Sequence, residues 1–171
     1  MTPHIMLDLE TLGTSPGCAI VSIGACKFSS EGILDEFYRV VVPEATMRID
    51  VSTTLWWLQQ SVEARQIFSA DTPKLSMLTA LIKLTEWGEN CPKLWGHGAA
   101  FDAPILQAAY EHHGYKCPWA FNNWRDTRTV YEMSGIYPDR QVGTHHNALD
   151  DAKAQALAVI ASFKKLNVEF A

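Results

Sequence analysis

The sequence has no excess of positive charge, which restricts the partners that it can bind. Its 14 lysines and arginines are outnumbered by 19 aspartates and glutamates, giving a formal net charge of -5. A protein that holds nucleic acid on a broad surface needs a large positive excess to neutralise phosphates. The composition argues against that binding mode. It allows an enzyme that grips a few nucleotides, because acidic metal ligands also count toward the net charge.

Cysteine pairs and long apolar segments are also missing. The four cysteines are scattered, with no C-x-x-C pair and no zinc-finger spacing of Cys and His, a pattern typical of reduced thiols inside the cell. No apolar run approaches the about 20 residues that a membrane span requires. The N-terminus lacks the pattern of a signal peptide. These absences predict a cytoplasmic protein without a membrane partner.

What the sequence does contain is typical of a globular domain. Its 171 residues are 47% hydrophobic and 19% charged, a balance that excludes general disorder. We find no internal repeat, low-complexity tract or linker. A single domain over residues 1–171 is therefore predicted.

Strand patterns come first along the chain and helical patterns follow. A turn at residues 29–32 favours a hairpin within an antiparallel meander, whose three strands are predicted at residues 5–10, 19–29 and 33–42. Residues 93–96 form a further short strand candidate. Helices are predicted after a cap at residues 52–54, from Pro73, and at residues 101–113, 127–133 and 148–165. This order predicts an α/β fold with a mixed central sheet and ligand sites where strand ends meet helix starts.

The first polar pattern is a pair of carboxylates on the first strand. Asp8 and Glu10 are two residues apart, so both project from one face, while Leu7 and Leu9 point to the opposite face. Carboxylates held together repel each other unless a proton or cation lies between them, and Mg2+ or Mn2+ prefers such oxygen ligands. The alternative is a strand that simply ends at the surface.

Two further patterns carry acidic residues at predicted helix starts. Asp102 follows a stretch of small residues, and it either faces a ligand or caps the helix. His146 precedes Asp151 by five residues, which places a possible general base beside a possible metal ligand. His145 and Asp150 repeat that spacing, so spacing alone does not choose between the two pairs.

Taken together, the acidic patterns resemble one enzyme family. The matching segments are IMLDLETLG at residues 5–13, WGHGAAFDAPIL at residues 95–106 and HNALDDA at residues 146–152. They resemble the DEDDh 3′-5′ exonucleases of the ribonuclease H-like fold, the DnaQ-like superfamily. Residues 54–57 and 126–129 are most similar to the subfamily of the mycobacterial adenylate-preferring exoribonuclease and of phage or prophage exonucleases. The resemblance implies a three-layer α/β fold with a mixed five-stranded sheet flanked by helices.

The resemblance also implies a metal centre and a reaction. The family pattern H-x-A-x-x-D falls on His146, Ala148 and Asp151, which leaves His145 as a loop residue. His146 would act as the general base that takes a proton from water. The products would be nucleoside 5′-monophosphates from the 3′ end of a single-stranded nucleic acid. Two divalent cations, Mg2+ or Mn2+, would be held by Asp8, Glu10, Asp102 and Asp151.

Several other residues are candidates for substrate contact. The turn formed by Thr11, Leu12 and Gly13 is expected to contact the terminal nucleotide. Trp57 or its neighbour Trp56 could stack on a base, with core packing as the alternative. Phe101 is a further candidate for contact with the substrate. Arg128 is a candidate partner for a phosphate. Core packing is the alternative for Phe101, and a surface ion pair is the alternative for Arg128.

Two other functions fit some of these patterns. A ribonuclease H-type endonuclease would share the fold and cut without a free 3′ end. A non-catalytic nucleic-acid-binding module would keep the fold without chemistry, although it would gain nothing from the clustered charges. RNA and DNA are not distinguished by the residues, since the choice depends on contact with a 2′-hydroxyl. A homodimer is expected from the family and from the aromatic content.

Overall fold

The computed structural model describes residues 2–98, 100–139 and 146–170. Within these residues, the strands are β1 (His4–Thr11), β2 (Ile20–Ser29), β3 (Gly32–Val40), β4 (Leu94–Gly96) and β5 (Trp124–Asp126). The α-helices are α1 (Val51–Leu58), α2 (Met77–Trp87), α3 (Asp102–His112), α4 (Thr127–Ser134) and α5 (Ala148–Leu166). Short 3₁₀ helices cover Ala64–Phe68 and Phe121–Asn123.

The strands form one mixed sheet in the order β3-β2-β1-β4-β5. β1, β2 and β3 pair antiparallel, and the tight turn between β2 and β3 confirms the predicted hairpin. β4 and β5 run parallel to β1, as expected for strands that are reached through helical connections. The mixed five-stranded sheet is therefore confirmed.

Helices cover both faces of this sheet. Leu7 and Leu9 of β1 pack into a buried cluster with residues of α2 and α3. Met6, from the opposite face of the same strand, packs with Tyr131 of α4 and with alanines of α5. The period of two along β1 thus supplies both halves of the core, and the predicted three-layer architecture is confirmed. None of the helices in the described ranges has the length and apolarity needed to cross a membrane.

Two predicted helix starts were wrong. α1 begins one turn earlier than a cap at residues 52–54 would allow, because Asp50 is its N-cap and the Asp50 carbonyl accepts the first helical bond from Thr54. Pro73 does not start α2. The backbone of Leu75 instead bridges Val41 at the end of the meander, and α2 begins after Ser76, whose hydroxyl accepts from the Thr79 amide at 3.2 Å.

β5 was not located in the sequence, because only three residues belong to it and two of them are charged. Tertiary pairing with β4 defines this strand, and such pairing overrides weak local preference. β5 leads directly into α4, where the Asp126 carboxylate caps the helix by accepting from the Arg128 amide at 2.9 Å.

Candidate active site

The carboxylates of β1 lie on the face of the sheet that α5 covers. Asp8 and Glu10 alternate with Leu7 and Leu9, which are buried on the opposite face. The Glu10 residue is 7% exposed although it carries a carboxylate. A buried acid is costly unless a proton, a donor or a cation compensates it. This position therefore points to a ligand at the end of β1.

Asp102 reaches the same place from the first residue of α3. Its Oδ1 accepts the backbone N–H of Leu9 at 3.2 Å, so the side chain joins α3 to β1. Gly96 ends β4 beside it, and a Cβ at Gly96 would lie 3.1 Å from Asp102 Oδ2. The missing side chain of Gly96 thus permits this close approach. Phe101, not Asp102, is the N-cap of α3.

The start of α5 supplies the other acidic residue and the histidine. The Asn147 carboxamide caps the helix by accepting from the Leu149 and Asp150 amides. His146 lies just before the cap with a left-handed backbone, φ 63°. In this conformation its amide donates to Asp151 Oδ2 at 3.2 Å. The positions of His146 and Asp151 are therefore coupled.

These elements bring the predicted acids and the histidine to one cleft of about 740 Å³, which Asp8, Glu10, Asp102, His146 and Asp151 line. Single ligand atoms from Glu10, His146 and Asp151 lie within 4.8 Å of one another. Asp150 is not among the residues that line the cleft. His145 lies outside the described residues, so its predicted loop position stays a prediction.

Burial and mutual repulsion disfavour negative charge in this cluster. Burial, together with the charges of Asp151 and Asp102, raises the pKa of Glu10 to about 8. Burial raises the pKa of Asp102 to about 7, although backbone donors and the Arg128 guanidinium act in the opposite direction. Burial and the charges of its acidic neighbours also raise the pKa of Asp8 well above its usual range. The metal-free cluster therefore retains protons that a cation would displace.

The donor set fits a hard divalent cation. Four carboxylates supply oxygen ligands, which Mg2+ and Mn2+ prefer, and one imidazole lies within the same group. A divalent cation would also offset the burial and the repulsion that disfavour negative charge in this cluster. Asp8, Glu10, Asp102 and Asp151 are the residues that would hold it.

The predicted substrate residues divide into two groups. Thr11, Gly13, Phe101 and Arg128 line the cleft. Leu12 packs in a buried cluster with Trp57 of α1 and is not among the residues that line the cleft, so its contact with a nucleotide stays a prediction. Its amide and carbonyl are used to hold the turn through Ala19 and Asp50. The Leu12 backbone therefore helps to fix the shape of the turn.

The adjacent tryptophans of α1 also differ. Trp57 is 3% exposed, and its indole N–H donates to the Thr11 carbonyl at 2.9 Å. It lines the inner wall of the cleft without an open face for a base, so the stacking predicted for it does not fit. Trp56 is 40% exposed, and its ring lies edge-on to the His146 ring, with centroids 4.8 Å apart.

Sequence reasoning missed other residues that line the cleft. Gln155 donates from Nε2 to Asp8 Oδ1 at 2.9 Å. Its position four residues after Asp151 is a signal that both share one helix face. Ser52 and Thr53, interpreted as helix caps, line the cleft instead. His97 lines it too, with Nδ1 3.0 Å from the Thr127 hydroxyl.

The fold is similar to that of solved structures of other proteins. The nuclease domain of 3′hExo, a DEDDh family member bound to rAMP, is similar with a TM-score of 0.68 and 16% identity, over 95% of this chain and 92% of that chain. Exonuclease X in complex with 5′ overhanging duplex DNA is similar with a TM-score of 0.61 and 17% identity, over 95% of this chain and 92% of that chain. At these identities the likeness shows the fold.

Sequence comparison identifies the family. The DNA polymerase III PolC-type protein of Clostridium perfringens is 26% identical over 97% of this chain, which spans 12% of that protein's length. A family model for the Rv2179c-like 3′-5′ exoribonuclease domain matches residues 3–163. The acidic cleft and this match agree, and the chain belongs to the Rv2179c-like 3′-5′ exoribonuclease domain family, within the DEDDh 3′-5′ exonucleases.

Proposed function

We propose that this exonuclease removes nucleotides one at a time from the 3′ end of single-stranded RNA and releases nucleoside 5′-monophosphates. Two divalent cations, Mg2+ or Mn2+, would assist the reaction. The observation that carries the proposal is the convergence of four carboxylates and one histidine in one cleft. RNA is the favoured substrate because the matching family is described as an exoribonuclease domain.

Each acidic residue has a structural reason to hold a cation in place. Asp8 and Glu10 are fixed by the backbone of β1, Asp102 by its bond to the Leu9 amide, and Asp151 by its bond to the His146 amide. When bound, divalent cations lower the pKa of water and stabilise charge on the phosphate and the leaving oxygen. The carboxylates would hold the cations, and the bound cations would orient the scissile phosphate for this chemistry.

In this proposal, His146 accepts the proton from the attacking water. Its ring packs edge-on against Trp56 at 4.8 Å, beside the carboxylates of Glu10 and Asp151. A proton acceptor positioned in this way contributes about 100- to 10,000-fold to the rate of a hydrolysis. The backbone amide of His146 donates to Asp151, so the backbone that carries the acceptor is tied to a predicted metal ligand.

The remaining cleft residues suit the end of a strand. Thr11 and Gly13 border the acidic cluster on one side, and the exposed Arg128 offers a positive charge to a phosphate on another. Trp56 offers a partly exposed aromatic ring for a base. These contacts would favour a flexible single strand whose terminal nucleotide enters the cleft.

A gel assay tests the proposal. 5′-labelled single-stranded RNA and DNA of equal sequence are incubated with Mg2+, with Mn2+ or with EDTA, together with a circular RNA. We expect a metal-dependent ladder that shortens the RNA from its 3′ end and leaves the circle intact. Cleavage of the circle would support an endonuclease, preferential degradation of DNA would overturn the RNA assignment, and no cleavage of any strand would favour a binding module.

Three variants assign the roles within the same assay. Asp8→Asn should abolish cleavage, because it weakens a metal ligand. His146→Asn should reduce the rate by about 100- to 10,000-fold, and asparagine tolerates the left-handed backbone at this position. Asp150→Asn is the matched control in the same helical turn, and its rate should stay near that of the unaltered protein. Inactivation by Asp150→Asn alone would assign the metal ligand to the other histidine–aspartate pair.

A further inference from the structure

Gln155 is an unusual residue for its place in α5. The helix face that packs on the sheet otherwise carries small apolar residues such as Ala152, Ala156 and Val159, all fully buried. Gln155 is only 7% exposed, yet it carries a carboxamide and lines the cleft. It lies one helical turn after Asp151, so both side chains face β1. A polar group at such a position requires a specific partner.

That partner is a carboxylate of the metal centre. Gln155 Nε2 donates to Asp8 Oδ1 at 2.9 Å. Within the described residues, Gln155 Oε1 is buried and accepts no hydrogen bond. No competing bond to the oxygen therefore sets the orientation of the amide. The contact with Asp8 is the hydrogen bond that orients the amide within the described residues.

We propose that Gln155 is a positioning residue that holds Asp8 in the orientation needed to bind a divalent cation. This inference rests on the metal-dependent function proposed above. An N–H donor on Oδ1 limits the rotation of the carboxylate and leaves Oδ2 available to a cation. Groups that orient metal ligands in this way typically change metal affinity by about 10- to 100-fold when they are removed.

Calorimetric titration of the purified protein with Mn2+ tests the inference without relying on activity. Gln155→Met keeps the length of the side chain and removes the donor. We expect its Kd for Mn2+ to rise about 10- to 100-fold. Gln107→Met is the matched control, because Gln107 also donates its amide to a carboxylate, that of Glu111 at 2.7 Å on α3, outside the cleft. Its Kd should stay unchanged.

Two further measurements separate positioning from a general structural role. In EDTA, the Tm of Gln155→Met should stay close to that of the unaltered protein, because the loss of the bond to Asp8 is offset by the removal of a buried oxygen that has no partner. Raising the Mn2+ concentration should restore cleavage by the variant. A second variant, Gln155→Asn, keeps the amide but is too short to reach Asp8, and it should show the same loss of affinity.

The outcomes distinguish this inference from the proposed function. A Kd within two-fold of the unaltered protein in both Gln155 variants would overturn the positioning role while leaving the metal centre intact. The inference would also be overturned if both variants had a much lower Tm in EDTA. The unfolded fraction would then explain their weaker Mn2+ binding. Absence of Mn2+ binding by the unaltered protein would instead contradict the proposed metal centre itself.

Discussion

At the scale of single residues, neighbours in the sequence have different roles because a helix directs them apart. Trp57 points inward, where its indole bonds the Thr11 carbonyl and packs against Phe68. Trp56 points to the cleft and keeps a partly exposed ring. The sequence alone does not distinguish the roles of these two adjacent tryptophans, because either could pack in the core or stack on a base.

Alanine substitution should separate the two tryptophans. Trp56→Ala should leave Tm nearly unchanged and raise the KM for single-stranded RNA by about 5- to 150-fold, the equivalent of one lost stacking contact. Trp57→Ala should lower the free energy of unfolding by roughly 3–5 kcal/mol, since it empties a buried site. Urea unfolding and steady-state kinetics measure the two quantities. Equal losses of stability in both variants would contradict the assignment.

Cleft residues could be predicted from the sequence where their positions follow from a pattern of neighbouring residues. The alternation in β1 places Asp8 and Glu10 on one face from the sequence alone, because the period of a strand is two. The partner of Asp8 could not be predicted in this way, since Gln155 is 147 positions away in the chain. A contact of that kind depends on how α5 docks on the sheet.

At the scale of elements, the docking of α5 on β2 depends on one small residue. Gly24 pairs with Asp8 in the sheet register. A Cβ at Gly24 would lie 2.1 Å from the Ala148 carbonyl carbon and 2.2 Å from the Leu149 nitrogen. Both atoms belong to the backbone at the start of α5, so no side-chain rotation relieves the overlap. The missing side chain of Gly24 is what allows His146 and Asp151 to reach β1.

Gly24→Ala should therefore move the start of α5 away from the sheet. We expect a lower Tm, by an overpacking cost of about 1–3 kcal/mol, and a loss of cleavage larger than the unfolded fraction explains. Thermal unfolding and the gel assay measure both effects. Ser22→Ala, on the same face of the same strand, adds no volume and serves as the control. Full activity of Gly24→Ala at a temperature where it is folded would contradict this account.

Helices and strands with a clear sequence pattern were predicted, and those with a weak pattern were not. The hairpin between β2 and β3 and the long apolar stripe of α5 agree with the sequence patterns. β5 has three residues and takes its conformation from β4, while the start of α2 is delayed by the backbone bridge between Leu75 and Val41. Both deviations come from pairing across the chain, which local propensity does not contain.

At the scale of the whole molecule, an acidic protein binds a polyanion by concentrating its positive potential at one place. The net charge of -5 opposes binding across the surface, and under the proposed function the acidic cleft would attract substrate once cations are bound. Metal loading would therefore determine substrate binding as well as chemistry. The predicted homodimer stays a prediction.

The same charge arrangement predicts how stability depends on pH in the metal-free protein. The folded pKa of Glu10 is about 8, and that of Asp102 is about 7, both above their usual values. Below about pH 4 both groups are protonated in either state, so folding carries no penalty. As pH rises toward 8, the unfolded chain releases these protons while the folded protein retains them, and the free energy of unfolding falls.

Urea unfolding in EDTA at about pH 5 and about pH 8 tests this prediction. The unaltered protein should be less stable at the higher pH, where a pKa difference of one corresponds to about 1.4 kcal/mol. Glu10→Gln should lose part of this pH dependence, because the glutamine has no proton to release. Adding Mn2+ near pH 8 should stabilise the unaltered protein, since the cation replaces the retained protons. An equal pH dependence in Glu10→Gln would show that the loss of stability originates outside the cleft.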